Sequence, residues 1–372
     1  MDNLLEIPLQ LNSYRAIIHV DMDAFYAQIE MRDQPGLADE ILVLAKDPRK
    51  HSGRGVVATA NYHARKLGIH SAMNAVQALK LAPDAVFITP DFKKYRQISK
   101  HVHHIFKQYT DQIEAIALDE AYLDVTDLVS TSFSAIQIAH ELQQKIYEEL
   151  HLTCSIGVSF NKFLAKLASE HNKPVGFTVV NEVDVRCFLD KLPVTEIRGV
   201  GEKTAHKMAA LNIKTGADLY HMSAADLVKN FGKAGYDFYQ HIRGIDNRPV
   251  KWQRQRKSIG TEQTYVRLID TDGQAIQELQ KMAAKLVESL SEQQMHGKTL
   301  VLKIRDDEFN TETKRQTQPD YMINDVTALF EVACDIWEEM GGYQRPIRLI
   351  GLTVTNLDPV AYENVALNLF EE

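Results

Sequence analysis

The chain predicts an α+β multidomain fold, two strand-helix-strand-strand-helix-strand series separated by a wholly helical stretch. Three observations carry that prediction. Apolar, β-branched runs at residues 16–22, 116–123 and 153–159 alternate with segments of helical period. Residues 183–244 show helical patterning only, and residues 258–357 repeat the first order of elements. At 372 residues the chain exceeds what one hydrophobic core commonly supports.

The first run ends in Val20-Asp21-Met22-Asp23, the pattern of a buried strand delivering acids at its C-terminal end. Asp21 and Asp23 share a face if the strand continues through them. A short helix over Ala24–Met31 closes at Pro35-Gly36, and Ile41–Ala45 reads as a strand. A basic, glycine-punctuated loop, 46–55, leads to Val56–Ala60, which is small and β-prone. Asn61 caps the next helix and Gly68 stops it. On that helix Tyr62 and Arg65 lie on one face. A hydroxyl and a guanidinium together suit a phosphate chain, although a solvated helix face with a half-buried tyrosine is as common.

A helix over 93–109 precedes Ile116–Asp124, in which apolar runs flank the adjacent acids Asp119 and Glu120. Neighbours on a straight strand point to opposite faces, so both can act on one object only at a bend. Carboxylates emerging from a buried hairpin are costly unless something cationic meets them, and a hard divalent ion with oxygen ligands answers that cost. A solvated acidic turn is the bland alternative. A helix over 134–150, a strand over 153–159, a helix over 162–171 capped by Asn161, and a strand over 177–180 complete a ferredoxin-like split βαβ arrangement. Residues 33–91 are then an insertion over its acidic end. The two acidic strand ends would meet as a two-metal phosphoryl-transfer centre, with Lys173 held extended beside it by Pro174.

In the helical stretch, Leu192–Ala205 reads as a short helix, a Gly199-Val200-Gly201 hairpin and a second helix from near Glu202. Free amides at that helix start, with Lys203 and Thr204 beside them, suit a phosphate backbone read without regard to base sequence. Residues 243–257 gather Arg243, Arg248, Lys251, Arg254, Arg256 and Lys257 against the single acid Asp246. With Pro249 and no apolar period, the stretch reads as a basic linker of the sort that tracks DNA. In the second αβ series the central hairpin carries Lys314 and Arg315, and a flexible tail, 358–372, holds the apolar cluster Ala366-Leu367-Asn368-Leu369-Phe370.

Whole-chain composition is ordinary for a globular protein. The net charge of −8 and pI near 6.0 do not by themselves point to nucleic acid, so the local basic clusters must carry that reading. Cys154, Cys187 and Cys334 form no Cys-x-x-Cys pattern and read as reduced thiols. No apolar run is long enough to span a bilayer and no leader pattern opens the chain, so a cytoplasmic, membrane-free protein is expected.

Five blocks occur in a telling order: Val20–Tyr26, Ala58–Arg65, Leu118–Asp124, Gly157–Lys162 and Asn172-Lys173-Pro174. With the helix-hairpin-helix, basic linker and second αβ domain behind them, the sequence resembles the Y-family translesion DNA polymerases of the DinB, or DNA polymerase IV, type. The resemblance implies a right-hand polymerase with its palm at 15–24 and 91–180 and small fingers at 25–90. A thumb at 181–246, a linker at 247–257 and a little finger at 258–357 follow. It implies that Asp21, Asp119, Glu120 and the Met22 carbonyl bind two Mg²⁺ ions, with Asp23 behind them. Tyr62, Arg65 and Lys173 would hold the triphosphate of a deoxynucleotide. Tyr26 matches the ring that excludes a ribose 2′-OH, and Ala58 and Thr59 lie by the nascent base pair. Gly199, Gly201, Lys203, Thr204, Arg254, Arg256, Lys257, Lys314 and Arg315 would meet primer-template DNA.

The chain would act as a monomer, without a proofreading domain, and dock on a sliding clamp through Leu367, Leu369 and Phe370. It departs from the family at Ala117-Leu118, where Ser-Ile is usual, and at Ala366, where the clamp motif begins with Gln. A nucleotidyl cyclase would share the palm but not the helix-hairpin-helix. A non-catalytic DNA-binding scaffold would have lost its metal ligands.

Overall fold

Strand β1 (Ile17–Met22) is buried throughout, and its alternation sorts the chemistry. Ile18, Val20 and Met22 enter the main apolar core, whereas Ile17, His19 and Asp21 face the other side of the sheet. Ala24, left-handed at φ 42°, turns the chain into α1 (Phe25–Asp33). The inserted module follows as β2 (Leu42–Leu44), β3 (Thr59–Ala60), α2 (Tyr62–Lys66), α3 (Ala75–Leu81) and β4 (Val86–Ile88), with its own sheet ordered β3-β2-β4. The β-prone stretch from Val56 yields a strand of only two residues, because Val56 and Val57 pair with Asn74 and Met73 instead. Asn61 accepts from the Ala64 amide, capping α2 as expected.

Helix α4 (Phe92–Lys107), capped by Asp91, leads into the hairpin of β5 (Ile113–Ala115) and β6 (Glu120–Asp124). Ser134 and Gln137 form a capping box on α5 (Ala135–Leu150). Then come β7 (Cys154–Ser159), α6 (Lys162–His171) and β8 (Phe177–Val179). The sheet order is β5-β6-β1-β7-β8, the ferredoxin-like order with β8 added parallel to β7. Helices α4 and α5 bury Tyr95, Val102, Ile105, Ile138 and Leu142 on the Ile18 face; α6 takes the opposite face.

Helices α7 (Val185–Asp190), α8 (Glu202–Ala210), α9 (Gly216–Tyr220), α10 (Ala224–Phe231) and α11 (Lys233–His241) share one core with Phe163, Leu164 and Leu167 of α6. The helical segment is therefore packed onto the palm. The basic stretch after it is less free than its composition suggests. Val250 is buried among Ile17, Tyr122 and Ala165, Arg248 pairs with Asp246, and the Arg243 guanidinium stacks 3.6 Å from the Tyr239 ring centroid. Planar guanidinium groups trade hydration for such stacking readily, which explains why a basic run is partly structural. The N-terminal segment is tied to the same place: the Gln10 carbonyl accepts from Asn247, and Arg15 donates to the Arg248 carbonyl.

This computed structural model describes residues 9–51, 53, 55–129, 134–253 and 255–362. They divide into two compact units, Met1–Gln253 and Arg254–Glu372. The second contains β9 (Ser258–Ile269), α12 (Asp272–Glu292), β10 (Met295–Asp306), β11 (Thr311–Thr317), α13 (Val326–Glu339) and β12 (Ile347–Pro359), with strands antiparallel in the order β11-β10-β12-β9. Leu300, Leu302, Ile350, Leu352 and Val354 form its core with α12 and α13. The other sheet face stays open. No described helix is long and apolar enough to cross a membrane.

Candidate active site

Register, not sequence, brings the two acidic strand ends together. β1 pairs antiparallel with β6 so that Asp21 stands opposite Glu120, and the Met22 amide donates to the Asp119 carbonyl at 2.9 Å. Asp119 ends the turn and Glu120 starts the strand, which supplies the bend their adjacency required. The strand does not continue through Asp23. Its carboxylate accepts from the Ser155 hydroxyl (2.7 Å), the Thr153 hydroxyl (2.9 Å) and the Val175 amide (2.9 Å), and Ser155 is the residue opposite Asp21 on β7. Asp23 thus keeps to the Asp21 side of the sheet, as expected, but these three partners take up its carboxylate, whereas Asp21 meets Glu120.

Gly157 decides what lies beneath the acids. It pairs with His19 across β7 and β1, and a Cβ there would stand 2.0 Å from the Ala165 carbonyl oxygen and 2.4 Å from the Ser169 nitrogen. Only hydrogen permits so close an approach of helix to sheet. α6 thereby presses Lys166 and Ser169 against β1. The Lys166 ammonium donates to Asp21 Oδ2 at 2.7 Å, Glu120 Oε2 at 2.6 Å and Glu170 Oε1 at 2.9 Å. Lys173 reaches the other Asp21 oxygen at 2.6 Å. The buried His19 ring shares a 2.8 Å hydrogen bond with Ser169, and its Nε2, 3.4 Å from Glu120, has no hydrogen-bond partner among the described residues.

The electrostatics differ sharply between neighbours. Burial would raise Glu120, but His19 and Lys166 together overrule it and hold the carboxyl down at about 2. Asp119 has burial and then the Asp21 charge against it, and its carboxyl is pushed up to about 6. Burial opposes the Lys166 charge, yet Asp21 and Glu170 lead the acids that keep it above the usual lysine range. His19, Asp21 and Glu120 offer ligand atoms within 4.8 Å of one another, and Asp119 lines the adjoining pocket beside Asp21. Hard oxygen donors converging around an unsatisfied buried nitrogen suit a divalent cation.

The pocket, about 220 Å³, is lined by Asp21, Met22, Tyr26, Ala58, Thr59, Arg65, Ser71, Asp119 and Lys173 among others. Tyr26 stacks on Tyr95 (centroids 4.5 Å) and abuts Phe92 edge-on, so its ring is a fixed wall. Arg65 is exposed; it donates to the Ala60 carbonyl and Thr59 hydroxyl and lies over the Tyr62 ring. Tyr62 turns its hydroxyl toward Asp23, at 3.4 Å, rather than into the pocket.

Of the residues expected at DNA, Gly199 takes φ 95°, Gly201 precedes α8, Lys203 is exposed and Thr204 half-buried. Arg198 in that hairpin donates to the Tyr122 hydroxyl at 2.7 Å. Arg256 and Lys257 are exposed. On β11, Arg315 is exposed, opposite Val301 on β10, whereas Lys314 is spent on Glu339 at 2.8 Å, because alternation sends it to the helical side. Arg254 and the clamp-motif residues Leu367, Leu369 and Phe370 lie outside the described residues. Lys166, Glu170, His19 and Ser71 were not singled out from sequence. A histidine inside an apolar strand was the one available signal among them.

A ferredoxin-like palm with paired acids at its central strand ends, a small inserted module and a helix-hairpin-helix define a nucleotidyl-transferring polymerase. Residues 20–170 match the impB/mucB/samB family, residues 256–369 its C-terminal domain, and residues 195–246 the thumb domain of DNA polymerase-iota. The chain is 46% identical to a DNA polymerase IV of Streptococcus pyogenes serotype M5 over 98% of its own length and 100% of that protein. Identity to the DNA polymerase IV of Streptococcus thermophilus is 44%, over 95% of this chain and 96% of that one. Among solved structures, a chimera of the Y-family polymerases Dbh and Dpo4 matches with a TM-score of 0.83 at 28% identity, covering 92% of this chain and 99% of the other. An insertion ternary complex of Dbh DNA polymerase matches at 0.67 and 27% identity, covering 92% and 99%.

The chain belongs to the impB/mucB/samB family, the Y-family DNA polymerases. It is a DNA-directed DNA polymerase of the translesion type, binding DNA and nucleotides.

Proposed function

We propose that Asp21, Asp119, Glu120 and the Met22 carbonyl hold two Mg²⁺ ions against the primer terminus and the triphosphate of an incoming deoxynucleotide. The observation that carries this is the pairing of Asp21 with Glu120, beside a pocket whose other walls are Asp119, Tyr26 and Arg65. Bound there, the ions would acidify the primer 3′-hydroxyl and neutralise the pyrophosphate leaving group. The protein's own share is positioning, since phosphoryl transfer asks little covalent chemistry of side chains.

Arg65 and Lys173 supply charge to the triphosphate. Each has a resident partner, Thr59 with Ala60 and Asp21 respectively, that it exchanges for phosphate oxygens. Tyr62 joins them by turning its hydroxyl from Asp23. Tyr26, fixed by Tyr95 and Phe92, fills the space of a ribose 2′-OH, and the small Ala58 with Thr59 roofs the base pair. Primer-template DNA lies on the Gly199–Gly201 hairpin with Lys203 and Thr204, on Arg254, Arg256 and Lys257, and on the open sheet face that carries Arg315 with Lys303 and Arg305. Lys314 would first have to leave Glu339. The chain works as a monomer in the cytoplasm and reaches a sliding clamp through Leu367, Leu369 and Phe370.

Primer extension with Mg²⁺ tests the reading. Deoxynucleotide addition should vanish in Asp119→Ala and persist in Tyr26→Ala, which should also admit ribonucleotides. Extension that survives Asp119→Ala would sink the ligand assignment. A folded, DNA-binding wild type that extends nothing would favour a scaffold.

A further inference from the structure

Among the described residues Lys166 is the one cation that touches both strands of the acidic cluster, and its surroundings are built for more than a static ion pair. Its ammonium has three N–H groups and meets three carboxylates: Asp21 at 2.7 Å, Glu120 at 2.6 Å and Glu170 at 2.9 Å. Two of these are the oxygens that a divalent ion would need. The third differs in kind. Glu170 lies one turn along the same helix and is about half exposed (48%), against 10% and 19% for the Asp21 and Glu120 side chains. The helix itself cannot drift, because the missing Cβ of Gly157 seats it against the sheet. Motion is left to the flexible lysine stem.

We propose that Lys166 is a positioning residue that stands in for a divalent ion between Asp21 and Glu120 and yields the place by retiring onto Glu170. This rests on the reading of Asp21 and Glu120 as metal ligands. Before an ion arrives, the ammonium offsets repulsion between carboxylates facing each other across β1 and β6 and keeps them converged. When an ion binds, two charge-assisted hydrogen bonds are exchanged for coordination, and Glu170 retains the third. Lys166 thus sets the affinity of the site from within, and Glu170 works only through Lys166.

Calorimetric titration of the full-length chain with MnCl₂, without DNA or nucleotide, tests this as a double-mutant cycle. Lys166→Met should tighten Mn²⁺ binding about tenfold by removing the competitor. Glu170→Gln should weaken it about threefold, because the lysine then has nowhere to go. In the Lys166→Met background, Glu170→Gln should have no further effect. An equal effect of Glu170→Gln in both backgrounds would reveal only a diffuse field and overturn the proposal, as would unchanged or weaker binding by Lys166→Met. Thermal melting gives a second readout: Lys166→Met should melt below wild type in chelator, with the gap closing in Mn²⁺. Should Lys166→Met fail to fold, Lys166→Gln takes its place in the cycle, and unchanged or tighter binding by Glu170→Gln refutes the idea. A folded wild type that binds no Mn²⁺ overturns the ligand reading, and this inference with it; Mn²⁺ binding with an additive cycle overturns this inference alone.

Discussion

Gly157→Ala replaces a hydrogen by a methyl group at a close helix-sheet contact beneath the acids. The new Cβ would stand 2.0 Å from the Ala165 carbonyl oxygen, 2.4 Å from the Ser169 nitrogen and 2.8 Å from the Ala168 Cβ. Ordinary contact begins at 3.4 Å, so α6 must retreat by about 1.4 Å (3.4 − 2.0) or the strand must bow by as much. Two of the three obstacles are backbone, which cannot rotate aside. Overpacking of this kind costs about 1–3 kcal/mol, and this case belongs at the upper end. The displacement carries Lys166 and Ser169 with it, lengthening hydrogen bonds that now stand at 2.6, 2.7 and 2.8 Å. Misplacement of supporting groups by about 1 Å can cost about a hundredfold in rate.

Urea denaturation and single-turnover nucleotide addition should therefore both change, with primer-template affinity close to wild type. Gly36→Ala, at a position with nothing within 4 Å, is the control and should stay within about 0.5 kcal/mol of wild type. A Gly157→Ala enzyme with wild-type stability and rate would refute the argument that this contact seats the acidic cluster.

The Asp119 carboxyl, raised to about 6, should make divalent-ion affinity pH-dependent. The group is protonated below that value and must ionise to serve as a ligand, so Mn²⁺ affinity should fall about tenfold per pH unit below pH 6 and level off above it. Asp119→Asn should flatten the profile, and a wild-type profile already flat would contradict the assignment. Tyr122→Phe keeps the ring against His19 but removes the hydroxyl that accepts from Arg198 at 2.7 Å. A loss of about 1–3 kcal/mol in urea is expected, and none would mean that the bond is not made in solution. Ser134→Ala removes the capping box of α5 and should cost about 1 kcal/mol, read as a shift in the urea midpoint at unchanged slope.

Much of this protein could be read along the chain because the determinants are local. Asn61 and Asn161 announce helix starts through side chains that reach only three residues ahead, and each makes the cap its position suggests. An apolar run that stops at Asp21, and another broken by Asp119 and Glu120, mark the acidic strand ends without reference to any partner. Ordered motif blocks supply the family. What these signals cannot carry is register and approach. That Asp21 falls opposite Glu120 depends on hydrogen bonding between strands about a hundred residues apart. Asp23, two residues from Asp21 and on the same side of the sheet, is diverted from the acidic cluster by the Ser155 and Thr153 hydroxyls and the Val175 amide, partners far along the chain. Val250 and Arg243 look like linker by composition and are held by burial and stacking that only their neighbours provide. Lys166 is the sharpest case. In sequence it is one lysine on an amphipathic helix, where a solvated side chain is the expected lot. It becomes the cation at the centre of the acidic cluster because a glycine on another element lets its helix come close enough, and that distance exists only once the chain has folded.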